Sequence, residues 1–306
     1  MWYRKLGKTD LTVSVVGVGA WQFGGEWGMA LSQFDVDRIL SKARDLGLNL
    51  IDTAECYGDH RSESLIGQTI KGNRRDWIIA TKFGHKFHGN FDRTYHWSPD
   101  EVIHQLNDSL NALGTDYIDI YQFHSGSDED FDNADLREAL NRQVKAGKIR
   151  HLGDSVGEND NLHQVQKASD FGIGAVQVVY NRLDRVPEHR VFPACQEQNL
   201  GVLARVPLAS GLLSGKYKPG DEFTAEDDVR SLRDRKEIRE KLEKVQEIKE
   251  TEVPDGVPMA TWALAWCLQH PAVTSVIPGC KTTEQVEMNA RAADMEMVSQ
   301  DHPQAV

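Results

Sequence analysis

Polar residues collect where short apolar runs end. Asp52 follows LNLI, Lys82 follows WIIAT, and His124 closes YIDIYQFH; Tyr57 lies five residues past Asp52. A carboxylate, an ammonium, an imidazole and a phenol can exchange protons with a bound carbonyl or alcohol, and a lysine amine can instead add to a carbonyl as a Schiff base. Ser155, Gln177, Asn181, Arg205, Gly279 and Lys281 occupy equivalent positions after later runs. Any one of them alone is as readily a solvated rim residue. What singles them out is their shared place, one per run.

The runs define the elements that must carry these residues. Eight are β-branched and nearly continuous in apolar character, beginning at Val13, Leu48, Trp77, Tyr117, Ile149, Ala175, Leu200 and Val273. Strands of that kind are buried on both faces, as in a parallel sheet wrapped by helices. Between them lie helical stretches. Val36, Ile39, Leu40, Ala43 and Leu46 share one face and stop at Gly47; Ser98, Pro99 and Glu101 form a capping box opening a helix that runs to Gly114. A charged helix places Leu232, Ile238, Leu242, Val245 and Ile248 on one side. Eight βα units predict an α/β fold, a (β/α)8 TIM barrel over residues 1–306 as one domain, with an open doubly wound sheet as the alternative. Two stretches break the rhythm, Gly84 to Trp97 and Leu208 to Val229, and both read as long functional loops. In a barrel, the polar strand ends converge on one face, where active sites lie.

Read in order, DTAECYGDHRSESLIG around Asp52 and Tyr57, ATKFG around Lys82, IDIYQFH ending in His124 and IRHLGDS reaching Ser155 resemble the aldo-keto reductase superfamily, over essentially the whole chain. The amino-terminal MWYRKLGKTDLTVS resembles the short β-hairpin that closes the barrel bottom in that family. The resemblance implies a catalytic tetrad of Asp52, Tyr57, Lys82 and His124, and reversible hydride transfer between NADPH/NADP and an aldehyde, ketone or alcohol, with Tyr57 as general acid. A phenol near its ordinary pKa of ~10 is a sluggish acid. A Lys82 ammonium about 4 Å away would favour its ionisation by up to ~4 kcal/mol, or ~3 pKa units at most. Asp52 would hold Lys82 charged, and His124 would orient the substrate oxygen. A class I aldolase using Lys82 is a second enzymatic reading. A slow cofactor-binding sensor or interaction subunit on the same barrel is a third, because the family includes potassium-channel β-subunits.

Motifs for dinucleotides on other folds are absent. GVGAWQFGG at Gly17 has Gln22 where a third small residue belongs, and GLLSGKY at Gly211 falls one residue short of a phosphate loop. The resemblance instead implies a pyrophosphate loop from Pro207, Leu208, Ser210, Gly211, Leu212 and Lys216, and an adenosine pocket from Gly279, Lys281, Gln285 and Asn289. It places Ser155, Gln177 and Asp52 at the nicotinamide end, with Trp21 also in the cofactor set. Three departures stand out: Val156 follows Ser155 where Asn is common, Arg205 occupies the place of an aromatic ring that stacks on nicotinamide, and Met288 replaces an acidic residue near adenine. Lys281 at a helix start predicts preference for the 2′-phosphate of NADPH.

The formal charge of −12 leaves no basic field for a nucleic acid partner. No apolar run approaches the ~18 residues of a membrane span and no signal peptide is evident, so the expected location is cytoplasmic. Cys56, Cys195, Cys267 and Cys280 form no CxxC pair and read as buried thiols. His85 and His88 have no carboxylates at metal spacing and there is no HExxH motif, so no metal is expected. Trp21, Trp27, Phe87, Phe91 and Trp97 either wall the substrate pocket or pack as core or rim. The short chain beyond Asn289 predicts an open pocket tolerant of varied aldehydes.

Overall fold

The computed structural model describes residues 1–306. Its strands are β1 (Tyr3–Lys5), β2 (Thr12–Ser14), β3 (Val18–Gly19), β4 (Leu50–Asp52), β5 (Ile78–Phe83), β6 (His85–Gly89), β7 (Asp92–Tyr95), β8 (Ile118–His124), β9 (Ile149–Ser155), β10 (Ile173–Val179), β11 (Gly201–Arg205) and β12 (Ser275–Val276). Eight of them form one parallel sheet in the order β12-β11-β10-β9-β8-β5-β4-β3. Parallel bridges Val16↔Val276 and Gly19↔Gly279 join its two edges, with Gly17 N–H donating to Val276 O at 2.8 Å. Every expected strand is present, and the sheet closes into a (β/α)8 barrel. The run from Val13 divides: Val13 belongs to β2 of an amino-terminal hairpin, and only Val18–Gly19 enters the barrel.

That hairpin, β1 paired antiparallel with β2, fills the barrel floor. Leu6, Leu11 and Val13 share an apolar cluster with Leu50, Ala80, Ile120, Ala175, Leu203 and Ile277, which are inward residues of the barrel strands or the turn after β12. Successive side chains of a strand alternate faces, so the residue two places further along points inward again. Those next inward positions are Asp52, Lys82, Gln122, Gln177, Arg205 and Gly279. One apolar layer thus supports one polar layer at the carboxyl ends of the strands.

The helices wrap the outside. Gln33–Asp45 buries Val36, Ile39, Leu40 and Ala43, as its 3.6-residue spacing requires. Pro99–Leu113 begins at Ser98, whose side chain accepts from Glu101 N–H, and ends at Gly114 in the left-handed conformation. Only this forward half of the expected capping box forms. The charged helix Arg235–Thr251 buries Ile238, Leu242, Val245 and Ile248, whereas Leu232 lies in the preceding 3-10 turn and is exposed.

The segment Gly84 to Trp97 is not an irregular loop. It contains the antiparallel hairpin β6–β7, whose strands are mostly polar on both faces and so lack the alternation that marks a half-buried strand. The segment after Leu208 is largely loop with two 3-10 turns, and it crosses to the β3 side through Gly28 N–H to Asp227 O, 2.9 Å, and Val229 N–H to Glu26 O, 3.1 Å. The carboxyl-terminal tail runs to the barrel floor, where Lys5 N–H donates to Gln304 O at 2.7 Å. No helix is long and apolar enough to cross a membrane.

Candidate active site

Lys82 is buried at the centre of the polar layer, and its ammonium donates to Asp52 Oδ1 at 2.8 Å, Thr53 O at 2.6 Å and Tyr57 Oη at 3.4 Å. Asp52 is held from its other side: Oδ2 accepts from Gln177 Nε2 at 2.6 Å and Gln122 Nε2 at 3.1 Å. Gln122 was not singled out in the sequence; its place two residues before His124, on the inward face, is the signal that identifies it. Tyr57 stands on the turn after β4, where Gly58, Asp59 and His60 all have positive φ, 69°, 53° and 61°. Two non-glycine residues in that region mark a backbone forced by its surroundings. Gly24 packs against it, since a Cβ there would lie 2.7 Å from the Tyr57 carbonyl carbon.

Burial pushes the Tyr57 phenol up to about 12, despite the opposing pull of Lys82. The expected lowering therefore does not occur in the chain alone, because loss of solvent around the phenolate outweighs one ammonium that Asp52 already partly neutralises. Burial works against the Lys82 charge as well, but Asp52 and Tyr57 more than offset it and hold the ammonium above its ordinary range. His124, at the end of β8, is kept well below the usual histidine range by burial and by the positive charges of Lys82, Arg205 and Arg93. Its ring stacks on His85 at 4.1 Å and 13°.

A cleft of about 470 Å³ opens above this layer and is lined at one end by Asp52, Tyr57 and His124, and at the other by Lys216, Lys281 and Asn289. That volume suits a small-molecule site. The profile of the Aldo/keto reductase family matches residues 15–305. The chain belongs to that family. It is 33% identical over 305 residues, covering 99% of this chain and 94% of the relative, to a protein named uncharacterized oxidoreductase YqkF from Bacillus subtilis. It is 31% identical, over 97% of this chain and 94% of the relative, to a protein named NADH-specific methylglyoxal reductase from Escherichia coli. Among solved structures, the holo form of aldo-keto reductase AKR11C1 from Bacillus halodurans superposes with a TM-score of 0.82 at 31% identity, covering 99% of this chain and 94% of that one. Aldo-keto reductases are oxidoreductases that use a nicotinamide cofactor and a small carbonyl compound, and this chain has that general assignment.

Most residues expected to hold the cofactor of an aldo-keto reductase line the cleft: Trp21, Gln177, Arg205, Pro207, Leu208, Ser210, Gly211, Lys216, Gly279, Lys281, Gln285 and Asn289. Ser155 and Leu212 do not. Ser155 is buried beneath the floor, its hydroxyl donating to Gln177 Oε1 at 3.5 Å, and Leu212 packs in the cluster of Ile238 and Leu242. Arg205 is tethered by Nη2 to Val156 O at 3.0 Å, and its Nε has no partner. The Lys281 ammonium is bound to Trp27 O, while Gln285 Oε1 accepts from Lys281 N–H at 2.7 Å beside the start of the helix Thr283–Ala290.

Trp21 and Trp27 wall the cleft of this aldo-keto reductase; Phe87, Phe91 and Trp97 do not, and Trp97 instead packs 4.4 Å from Phe123. Sequence reading also missed Glu26 and Arg230 of the cleft rim. Glu26 is fully buried and accepts from Trp21 Nε1 at 2.6 Å, Phe91 N–H at 2.9 Å and Arg93, tying the stretch after β3 to the β6–β7 hairpin. Arg230, bound to Asp228 and donating to Tyr217 Oη at 2.9 Å, lines the cleft near Lys216 and Lys281. Nothing in their local sequence marks these residues: Phe91 and Arg93 reach Glu26, and Tyr217 reaches Arg230, only through the fold.

Proposed function

We propose that the chain is an NADPH-dependent reductase of aldehydes and ketones, with Asp52, Tyr57, Lys82 and His124 as its catalytic residues. The observation that carries this reading is the Lys82 ammonium 3.4 Å from the Tyr57 hydroxyl and 2.8 Å from Asp52, beneath an open cleft. The donor set of the cleft fits a nicotinamide dinucleotide. Lys216, Arg230 and Lys281 supply positive charge at one end next to a helix start, and the unpartnered Arg205 Nε stands at the end nearer Tyr57.

When bound, the reduced nicotinamide supplies a hydride to the carbonyl carbon. Tyr57 gives its hydroxyl proton to the carbonyl oxygen as negative charge develops there, and the ammonium of Lys82 stabilises the phenolate that results. Asp52 keeps Lys82 protonated and aimed, and the two glutamines keep Asp52 fixed. His124, neutral at pH 7, positions the oxygen by hydrogen bonding rather than by charge. Arg205 would hold the nicotinamide in the place where an aromatic ring is usual, and Lys281 with Lys216 would favour the 2′-phosphate. The described tail packs at the barrel floor and not over the cleft, which supports a pocket tolerant of varied aldehydes, and the cytosol is the compartment proposed.

The Schiff-base alternative fits poorly. Lys82 is buried beneath Tyr57 and fully protonated, and a nucleophilic amine must be neutral and reachable. The test is to follow nicotinamide absorbance while purified protein reacts with NADPH, and in parallel NADH, across a panel of aldehydes and ketones. Turnover that is lost in Tyr57→Phe with NADPH affinity kept within a few fold is expected. Tight NADPH binding without turnover would assign the chain to the sensor reading, and borohydride trapping at Lys82 to the aldolase reading.

A further inference from the structure

Beside the proposed tetrad, four side chains from three segments converge without a function assigned to their meeting. Glu55 and Cys56 come from the turn after β4, His85 from the start of β6, and His124 from the end of β8. Cys56 Sγ lies 3.8 Å from His85 Nδ1 and 3.9 Å from His124 Nδ1, and His124 Nδ1 lies 3.9 Å from Glu55 Oε1. All four donor atoms fall within 4.8 Å of one another. We propose that Glu55, Cys56, His85 and His124 form a binding site for a borderline divalent cation of the Zn²⁺ type, which withdraws His124 from carbonyl reduction when filled.

The spacing is close to that of a ready ligand set. Bonds of about 2.3 Å to sulfur and 2.0–2.1 Å to nitrogen, held tetrahedrally, put sulfur and nitrogen about 3.6 Å apart. The observed distances need a contraction of only a few tenths of an ångström. Both Nδ1 atoms lie beside the same thiol, and because the stacked rings hold their in-plane lone pairs parallel, one imidazole must also turn about its Cβ–Cγ bond to share an ion with the other. The group is preorganised by burial: Glu55, Cys56 and His85 are 3%, 1% and 9% exposed. Glu55 is fixed by His85 N–H, which donates to its Oε1 at 2.9 Å, while its Oε2 and His85 Nε2 are buried without partners.

Ligand type selects the ion, and the surrounding charge sets a condition on it. Lys82, Arg93 and Arg205 are the positive groups that act on the cluster, so a dication is tolerated only with compensation. Coordination expels the Cys56 proton to solvent, and the resulting thiolate with the Glu55 carboxylate neutralises the ion. Two imidazoles, one thiolate and one carboxylate suit Zn²⁺ or Co²⁺, whereas Mg²⁺ and Ca²⁺ require oxygen ligands. His85 and His124 face the cleft, so an ion enters from the side the carbonyl would use. The inhibitory half of this proposal rests on the proposed role of His124; the binding half does not.

Cobalt(II) chloride titrated into the full-length, cofactor-free protein reads binding without turnover. We expect intense visible bands of a tetrahedral ion, thiolate-to-cobalt charge transfer in the near ultraviolet, and displacement of both by zinc. Cys56→Ala and His85→Phe, each checked by far-ultraviolet circular dichroism, should weaken binding by at least ~10- to 100-fold, and Cys56→Ala should abolish the charge-transfer band. Zinc should inhibit reduction competitively with the carbonyl compound, and chelation should reverse it. Absence of the thiolate band at saturating cobalt overturns the site. So does a spectrum that survives both substitutions, which would place the ion on exposed histidines such as His88 and His104. A cobalt spectrum without zinc inhibition of an active enzyme overturns the inhibitory half alone, and a cobalt spectrum in a protein without reductase activity sustains the site while refuting the proposed function.

Discussion

Replacing Lys82 by methionine separates its electrostatic work from its shape. At 3.4 Å from Tyr57 Oη, the ammonium contributes about 5 kcal/mol to phenolate stability at an effective dielectric of ~20, equivalent to ~3.5 pKa units before desolvation is subtracted. The phenol, at about 12 with Lys82 present, then becomes a still weaker acid. Reduction kcat should fall by ~10²- to 10⁴-fold in Lys82→Met. The substitution also strands the buried Asp52 carboxylate with only the Gln122 and Gln177 amides as partners, an uncompensated charge that costs ~3–5 kcal/mol. Urea unfolding at pH 7 should show that loss, and Asp52→Asn in the same background should recover much of the stability but none of the activity. Stopped-flow reduction with the single variants and Lys82→Met/Tyr57→Phe completes the test. Because the two residues act as a unit, the double variant should be no slower than the slower single one. A Lys82→Met enzyme within threefold of wild type, or losses that multiply in the double variant, would refute the reasoning.

Gly24→Ala should lower kcat by ~10- to 100-fold while NADPH fluorescence titration gives near-normal affinity, because the new Cβ displaces the Tyr57 backbone from 2.7 Å contact; an unchanged kcat would show that the turn yields elsewhere. Arg205→Tyr should keep the fold and hydride transfer but change the affinity for oxidised or reduced cofactor, and unchanged binding of both would remove Arg205 from the nicotinamide face. His85 is held at about 3 by burial, then by His124. Its neutral form stabilises the fold fully above the unfolded pKa of ~6.5, and that contribution is lost as pH falls toward about 3, at up to ~1.4 kcal/mol per pH unit. Urea unfolding between pH 7 and 4.5 should therefore weaken less steeply in His85→Phe than in wild type, and parallel curves would contradict the assignment. Lys281→Ala should weaken NADPH roughly 10- to 100-fold and NADH little, at fixed salt, given ~1.5–3 kcal/mol for a charge-assisted contact; equal weakening of both coenzymes would place the 2′-phosphate elsewhere.

Asp52, Lys82 and His124 were legible because a barrel strand alternates strictly. Once Leu50, Ala80 and Ile120 point inward, the residues two and four places on must point inward too, and those nearest the strand end form the polar layer under the mouth. Periodicity thus specified the eight strands and the outer helix faces, and local motif order specified the family. It could not specify the β6–β7 hairpin, whose two polar faces carry no apolar rhythm. Nor could it reveal the effect of burial on Tyr57, since a pKa depends on how much water a fold removes and not on residue type. Glu26, Gln122 and the meeting of Glu55, Cys56, His85 and His124 were likewise decided only by tertiary structure. Side chains up to 70 residues apart in sequence become neighbours there because barrel closure brings successive strand ends to one rim, and no pattern local to any of them records which partners the closure will supply.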